Sequence, residues 1–138
     1  MNWIPSVEIE LLNIINDNGI KALPIGSSEE LILKTLGEPE LPRARFSKKS
    51  KIITHLYGNL SVLSENGTII AIDIDFKGEK TEVVKKGEIS CWGINQWVNL
   101  SEKKKWTVDK LNDVININSG KLNIGLSING EVNLISIR

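Results

Sequence analysis

The chain has 138 residues, is 41% hydrophobic and 25% charged, and balances 17 basic against 17 acidic residues for a formal net charge of zero. Those values describe one globular domain over 1–138, large enough to bury a core of its own, and argue against a dedicated nucleic-acid binder, whose surface would be strongly basic. Cys91 is the only cysteine, so neither an intramolecular disulfide nor a cysteine-based zinc site is expected.

The opening stretch, MNWIPSVEIELLNII, has no basic segment ahead of its apolar part and carries Glu8 and Glu10 inside it. That pattern argues against a secretory signal. No run approaches the roughly 18 apolar residues of a membrane span, so the expectation is a cytoplasmic protein without membrane contact. Val7, Leu11, Leu12, Ile14 and Ile15 fall at helical spacing between Pro5-Ser6 and Asn18-Gly19, which predicts a helix over 6–18. A second helix follows in SSEELILKTLGEPE: a serine cap, Glu29 and Glu30 in the first turn, and Gly37 as the stop. Next comes RARFSKKSK, residues 43–51, with five basic groups and no acid, whereas 1–42 holds seven acids against Lys21 and Lys34.

The runs KIITHLYGNLSVL and TIIAIDIDF alternate with period two and are joined by Asn66-Gly67, a pair that accepts the positive φ of a type I′ turn. KGEKTEVVKKGE reads as a charged loop with a short edge strand, and ISCWGINQWVNL as a further strand-like segment that buries Cys91. WTVDKLNDVI reads as a third helix, with Thr107 as its cap and Val108, Leu111, Val114 and Ile115 at helical spacing. The chain closes on a hairpin turning at Asn129-Gly130.

GNLSVLSENGTIIAIDI, from Gly58, is echoed by GKLNIGLSINGEVNLISI, from Gly120. Helix plus Asn-Gly hairpin thus occurs twice, over 28–76 and 107–138, with one residue of slippage inside the hairpin. Two such units can merge their hairpins into one antiparallel sheet with the helices on one face, an α+β architecture.

No glycine-rich phosphate loop, dinucleotide fingerprint or metal-ligand spacing is present, so no cofactor and no metal are expected. His55 is the only histidine; an enzyme would need it to act with Asp73 or Asp75, and no catalytic set is assigned. If strand parity runs through Gly58, then His55, Tyr57, Asn59 and Ser61 share the open sheet face with Asp73 and Asp75. Trp92 and Trp97 flank GINQ in the connection between repeats, where a tryptophan either packs beneath the loop or anchors a partner. These eight residues form the expected partner-binding set. The alternative is a small-molecule or nucleic-acid binding module that uses the basic 43–51 loop, an anion-binding strip of Arg43, Arg45, Lys48, Lys49 and Lys51 with Phe46 as a stacking platform.

LPIGSSEELILKTLGEPE, followed by YGNLSVL and NGTIIAIDIDF, resembles a pattern of small bacterial proteins in which a capped helix ending in Leu-Gly-Glu-Pro precedes a Tyr-Gly-Asn-Leu strand and an isoleucine-rich strand. The stretch from Leu23 to Phe76 is similar to the tandem helix-plus-sheet units of β-lactamase inhibitory proteins and outer-membrane assembly lipoproteins, and to single-domain immunity proteins encoded beside toxins. It departs from them in lacking a lipoprotein cysteine near the start and the disulfides of the secreted inhibitors. The resemblance implies an inhibitor or immunity role in a cytosolic relative; with no catalytic set assigned, the expectation is a non-enzymatic protein that binds and neutralises a partner protein, such as a cognate toxin.

Overall fold

A computed structural model describes residues 3–138. In chain order its elements are β1 (Ile9–Glu10), α1 (Leu11–Asp17), α2 (Glu30–Leu36), β2 (Ala44–Arg45), β3 (Ile52–Tyr57), β4 (Leu60–Glu65), β5 (Thr68–Asp75), β6 (Val84–Lys85), a 3-10 turn (Gly87–Cys91), α3 (Ile94–Lys104), β7 (Thr107–Leu111), β8 (Val114–Asn118), β9 (Leu122–Ser127) and β10 (Val132–Ile137). Eight strands form one antiparallel sheet in the order β2-β3-β4-β5-β10-β9-β8-β7, and β1 pairs in parallel with β6 beside it. The architecture is α+β: each half of the sheet is a four-stranded meander preceded by a helix, α2 in one half and α3 in the other, and the halves meet where β5 pairs with β10.

The register at that seam is two-fold. Ile72 pairs with Ile137, Asp73 with Ser136, and Ile74 with Ile135, so a constant offset of 63 residues exchanges the two strands about the Asp73–Ser136 pair. The same offset relates the two bulges, at Ile70 in β5 and Asn133 in β10, where one residue is left without a partner. It also relates the turns Asn66-Gly67 and Asn129-Gly130. The slippage visible in the sequence falls at the turn: Asn66 and Gly67 alone link β4 to β5, whereas Ile128, Asn129, Gly130 and Glu131 link β9 to β10. Gly67 and Gly130 both have positive φ, +76° and +94°.

One face of the sheet is buried. Tyr57, Leu60, Ile74, Ile135, Ile124 and Ile117 lie in register across it, and they pack in one cluster with Leu11, Ile14 and Ile15 of α1, Ile32 and Leu36 of α2, and Trp97 of α3. Burial of such isoleucine and leucine side chains stabilises the fold by about 1.5–3 kcal/mol each.

Two helical expectations change. The N-terminal helix is shorter than 6–18, beginning at Leu11, because Ile9 and Glu10 are extended against Val84 and Lys85. Residues 107–115 are not a helix but the β7–β8 hairpin, which turns at Asn112-Asp113 with Asn112 at φ +56°. The helix of this half is α3, upstream in the segment read as strand-like. The Gln96 side chain accepts from the Gly93 N–H at its start, and Lys105 ends it in the left-handed conformation.

Candidate functional site

The covered face leaves the opposite face of the eight strands without a helical layer, and register places its side chains in rows. One row runs Leu56, Ser61, Asp73, Ser136, Asn123, Asn118, Thr107 from β3 to β7; the next, in its right half, runs Asp75, Leu134, Gly125, Asn116, Asp109. The two halves differ. On β4 and β5 the apolar Leu63 and Ala71 are closed over by their neighbours, whereas Leu134, Val114 and Leu111 are 41%, 46% and 71% exposed among three exposed asparagines. Gly125 carries no side chain into this region, leaving a shallow depression of about 260 Å³ between Asn116, Asn123, Leu134 and Ser136.

Ser61, Asp73 and Asp75 stand on the open face as expected, but both acids are already paired. Arg138 reaches Asp73 Oδ1 at 2.9 Å and Lys80 reaches Asp75 Oδ2 at 3.2 Å. Partial burial would raise the Asp75 carboxyl. The Lys77 N–H, which donates to Oδ1 at 2.8 Å, and the Lys80 ammonium outweigh that and hold it below the usual carboxylate range.

Parity does not run through Gly58. The chain turns at Gly58-Asn59, so Tyr57 pairs with Leu60, and His55 and Tyr57 face the core side instead of the open side. His55 is buried with its Nε2 2.9 Å from Ser64 Oγ, and Tyr57 donates to the Gly37 carbonyl at 2.7 Å while Trp3 packs edge-on against its ring. Since His55 and the two aspartates occupy opposite faces, they do not converge on a common substrate position. Asn59 is also buried, and for a different reason. Its Oδ1 accepts from the N–H groups of Val83 and Val84, each at 3.0 Å, and its Nδ2 donates to the Val84 carbonyl at 2.9 Å, so one side chain ties down β6. Gly58 is required beside it: φ is +59°, and a Cβ there would lie 2.2 Å from the Thr81 carbonyl oxygen.

The tryptophans separate as well. Trp97 is fully buried, donates to the Gly130 carbonyl at 3.0 Å and packs edge-on against Trp92 at 4.9 Å, so it is a core residue that fastens α3 to the β9–β10 turn and not a partner anchor. Trp92 is half-buried. Cys91, expected inside a strand, is exposed at the end of the 3-10 turn.

The basic segment forms a hairpin at the β2 edge of the sheet. Arg43 lies 3.6 Å from Glu29, while Arg45, Lys48, Lys49 and Lys51 have no ion-pair partner among the described residues, and Phe46 is 70% exposed between them. No group of metal-ligating side chains converges among the described residues, and no helix there is long and apolar enough to cross a membrane.

The sequence reading missed Leu111, Val114, Asn116, Asn118, Asn123, Leu134 and Ser136. For Val114, Asn116, Asn118 and Asn123 the signal was present in VININ and KLNIGL, where asparagine or glycine alternates with isoleucine and leucine, a half-buried strand pattern whose polar members mark the outer face. Comparison of the chain with protein-family models, with curated proteins and with solved structures found no match in any of the three.

Proposed function

We propose that the chain is a non-enzymatic protein-binding module that uses the open face of its sheet, in the manner of an immunity protein or inhibitor that neutralises a toxin or enzyme by direct contact. The observation carrying this reading is the right half of that face. Three exposed aliphatic side chains sit among asparagine amides on a rigid sheet, which supplies apolar anchors and a hydrogen-bonding rim together. The resemblance of residues 23–76 to immunity-type proteins supports the neutralising role. The test compares the wild-type chain with the double variant Leu134→Glu, Asn123→Glu, in capture from the source cell and in protection against the product of any toxin-like gene beside its own. Both substitutions lie on the outer face, so the melting temperature should hold. Partner affinity should fall at least tenfold, about 1.4 kcal/mol, and a partner retained equally by both proteins would refute this face as the site.

A second reading rests on the exposed Phe46 among four unpaired cations: the 43–51 hairpin as a nucleic-acid or anion contact. Retention on heparin that vanishes at moderate salt, and that is lost with Lys48→Glu and Lys49→Glu, would favour it.

A further inference from the structure

On the covered side of the sheet, a cleft of about 470 Å³ opens between α2 and β3, lined by Leu33, Pro39 and Pro42 together with Glu29, Glu30, Glu38 and Arg43. His55 closes its inner end. The proton on that imidazole can be placed by counting. The Ser64 hydroxyl lies 2.8 Å from Glu29 Oε2, and a carboxylate only accepts, so Ser64 spends its single proton there. Ser64 Oγ must then accept from His55, which puts the imidazole proton on Nε2 at 2.9 Å.

Nδ1 is therefore a bare acceptor, and it has no hydrogen-bond partner among the described residues. No fully buried side-chain nitrogen or oxygen in the described structure lacks a partner. An unpartnered Nδ1 must accordingly keep some accessible surface, and His55 is one of the residues that line this cleft. The histidine is only 7% exposed, so nearly all of its surface is committed to packing while one lone pair is presented outward. Three carboxylates against one guanidinium give the cleft an excess of negative charge, and the Arg43 guanidinium is already engaged with Glu29 at 3.6 Å. The apolar part of the lining includes Leu33, 55% exposed.

We propose that this cleft receives a primary ammonium group carried on an apolar stem, with His55 Nδ1 accepting a hydrogen bond from one ammonium N–H, the rim carboxylates balancing its charge, and Leu33 and the prolines covering the stem. A lysine side chain of another protein and a free alkylamine share this chemistry. The site lies on the opposite side of the sheet from the face assigned to partner binding and does not depend on that assignment.

The test uses the 15N-labelled full chain at pH 7.5, with the imidazole followed in long-range proton–nitrogen spectra. The probes are n-pentylamine and Nα-acetyl-lysine N-methylamide, with pentanoate as a control of similar stem and opposite charge. In the free protein Nδ1 should show the shift of an unprotonated nitrogen. Either amine should move it saturably, at a half-saturation at least tenfold below any pentanoate response. Glu30→Gln with Glu38→Gln, both exposed rim positions, should raise the half-saturation at least threefold. A response to both amines assigns a general alkylammonium site, and a response to the lysine derivative alone assigns a protein lysine. A protonated Nδ1 in the free protein, no saturable shift with either amine, or an equal response to pentanoate would overturn the proposal.

Discussion

Replacing Asn59 by alanine removes one carboxamide and three buried hydrogen bonds. Val83 and Val84 are 1% and 0% exposed, and their two N–H groups and the Val84 carbonyl all end on the Asn59 side chain. A buried backbone group left without a partner costs about 1–3 kcal/mol, and alanine leaves three. Taking the lower part of that range for groups that water can reach after a small opening, the loss should be about 3–5 kcal/mol. A domain of this length holds about 7–15 kcal/mol in total, so the variant should still fold while giving up a large part of its stability. The assay is urea unfolding by circular dichroism and tryptophan fluorescence, with hydrogen exchange at the Val83 and Val84 amides. The midpoint should fall with little change in slope, and those two amides should lose protection before the sheet does. Asn59→Asp retains the acceptor for both amides but loses the donor to Val84, and should fall between wild type and alanine. A loss below about 1 kcal/mol for the alanine variant would show that β6 is held by its pairing with β1 and not by this side chain.

The two Asn-Gly turns should respond unequally to the same change. Gly67→Ala meets no atom within 4 Å and should cost only its left-handed strain, about 1–2 kcal/mol; Gly130→Ala places a Cβ 2.5 Å from the Ile94 nitrogen and should add about 1–3 kcal/mol of overpacking. Equal shifts in urea midpoint would mean that the β9–β10 turn is not packed on the start of α3. The pH dependence is set by His55, whose imidazole is held below its ordinary pKa chiefly by burial, with Arg43 acting in the same direction and Glu29 against it. The unfolded chain, with a histidine pKa of about 6.5, takes up a proton that the folded chain refuses. Stability is therefore unaffected above that pH and declines as pH falls from about 6.5 toward the folded-state value. His55→Gln should show a smaller drop in melting temperature between pH 7.5 and 5.5, and an identical drop would refute the assignment.

The features readable in the sequence were those with a local cause. Asn66-Gly67 and Asn129-Gly130 declared their turns through backbone chemistry, TIIAIDIDF declared a half-buried strand through its alternation, and Gly37 ended α2. The errors arose where two periods fit equally well. Val108, Leu111, Val114 and Ile115 satisfy helical spacing, yet Asn112-Asp113 breaks the run into two strands whose pairing is decided by neighbours remote in sequence. ISCWGINQWVNL, with two isoleucines, two tryptophans and a valine, has the β-branched and aromatic content of a strand, but Trp97 and Ser101 are one helical turn apart and both buried. His55 and Tyr57 failed together because of one missed turn. Gly58-Asn59 reverses the chain, and that single reversal moved His55 and Tyr57 to the other side of the sheet. Its cause is the contact with Thr81, Val83 and Val84, more than twenty residues downstream, which no local pattern announces.

The place of β10 has a consequence for how the protein is made. Residues 132–137 pair with β5 on one side and β9 on the other, so a segment synthesised after β2 to β9 fills the middle of the sheet. Until it leaves the ribosome, β5 presents Ile72, Asp73 and Ile74 along an unpaired edge, in a nascent chain that already has β2 to β5 available to form a meander. Closing the seam joins residues such as Ile72 and Ile137 across most of half the chain length, a slow contact to form. For that interval the isoleucine-rich edge is open to pairing with other chains. A chain that stops before Val132 should therefore be chaperone-dependent and aggregation-prone, whereas one that includes residues 132–137 lets the two halves lock together.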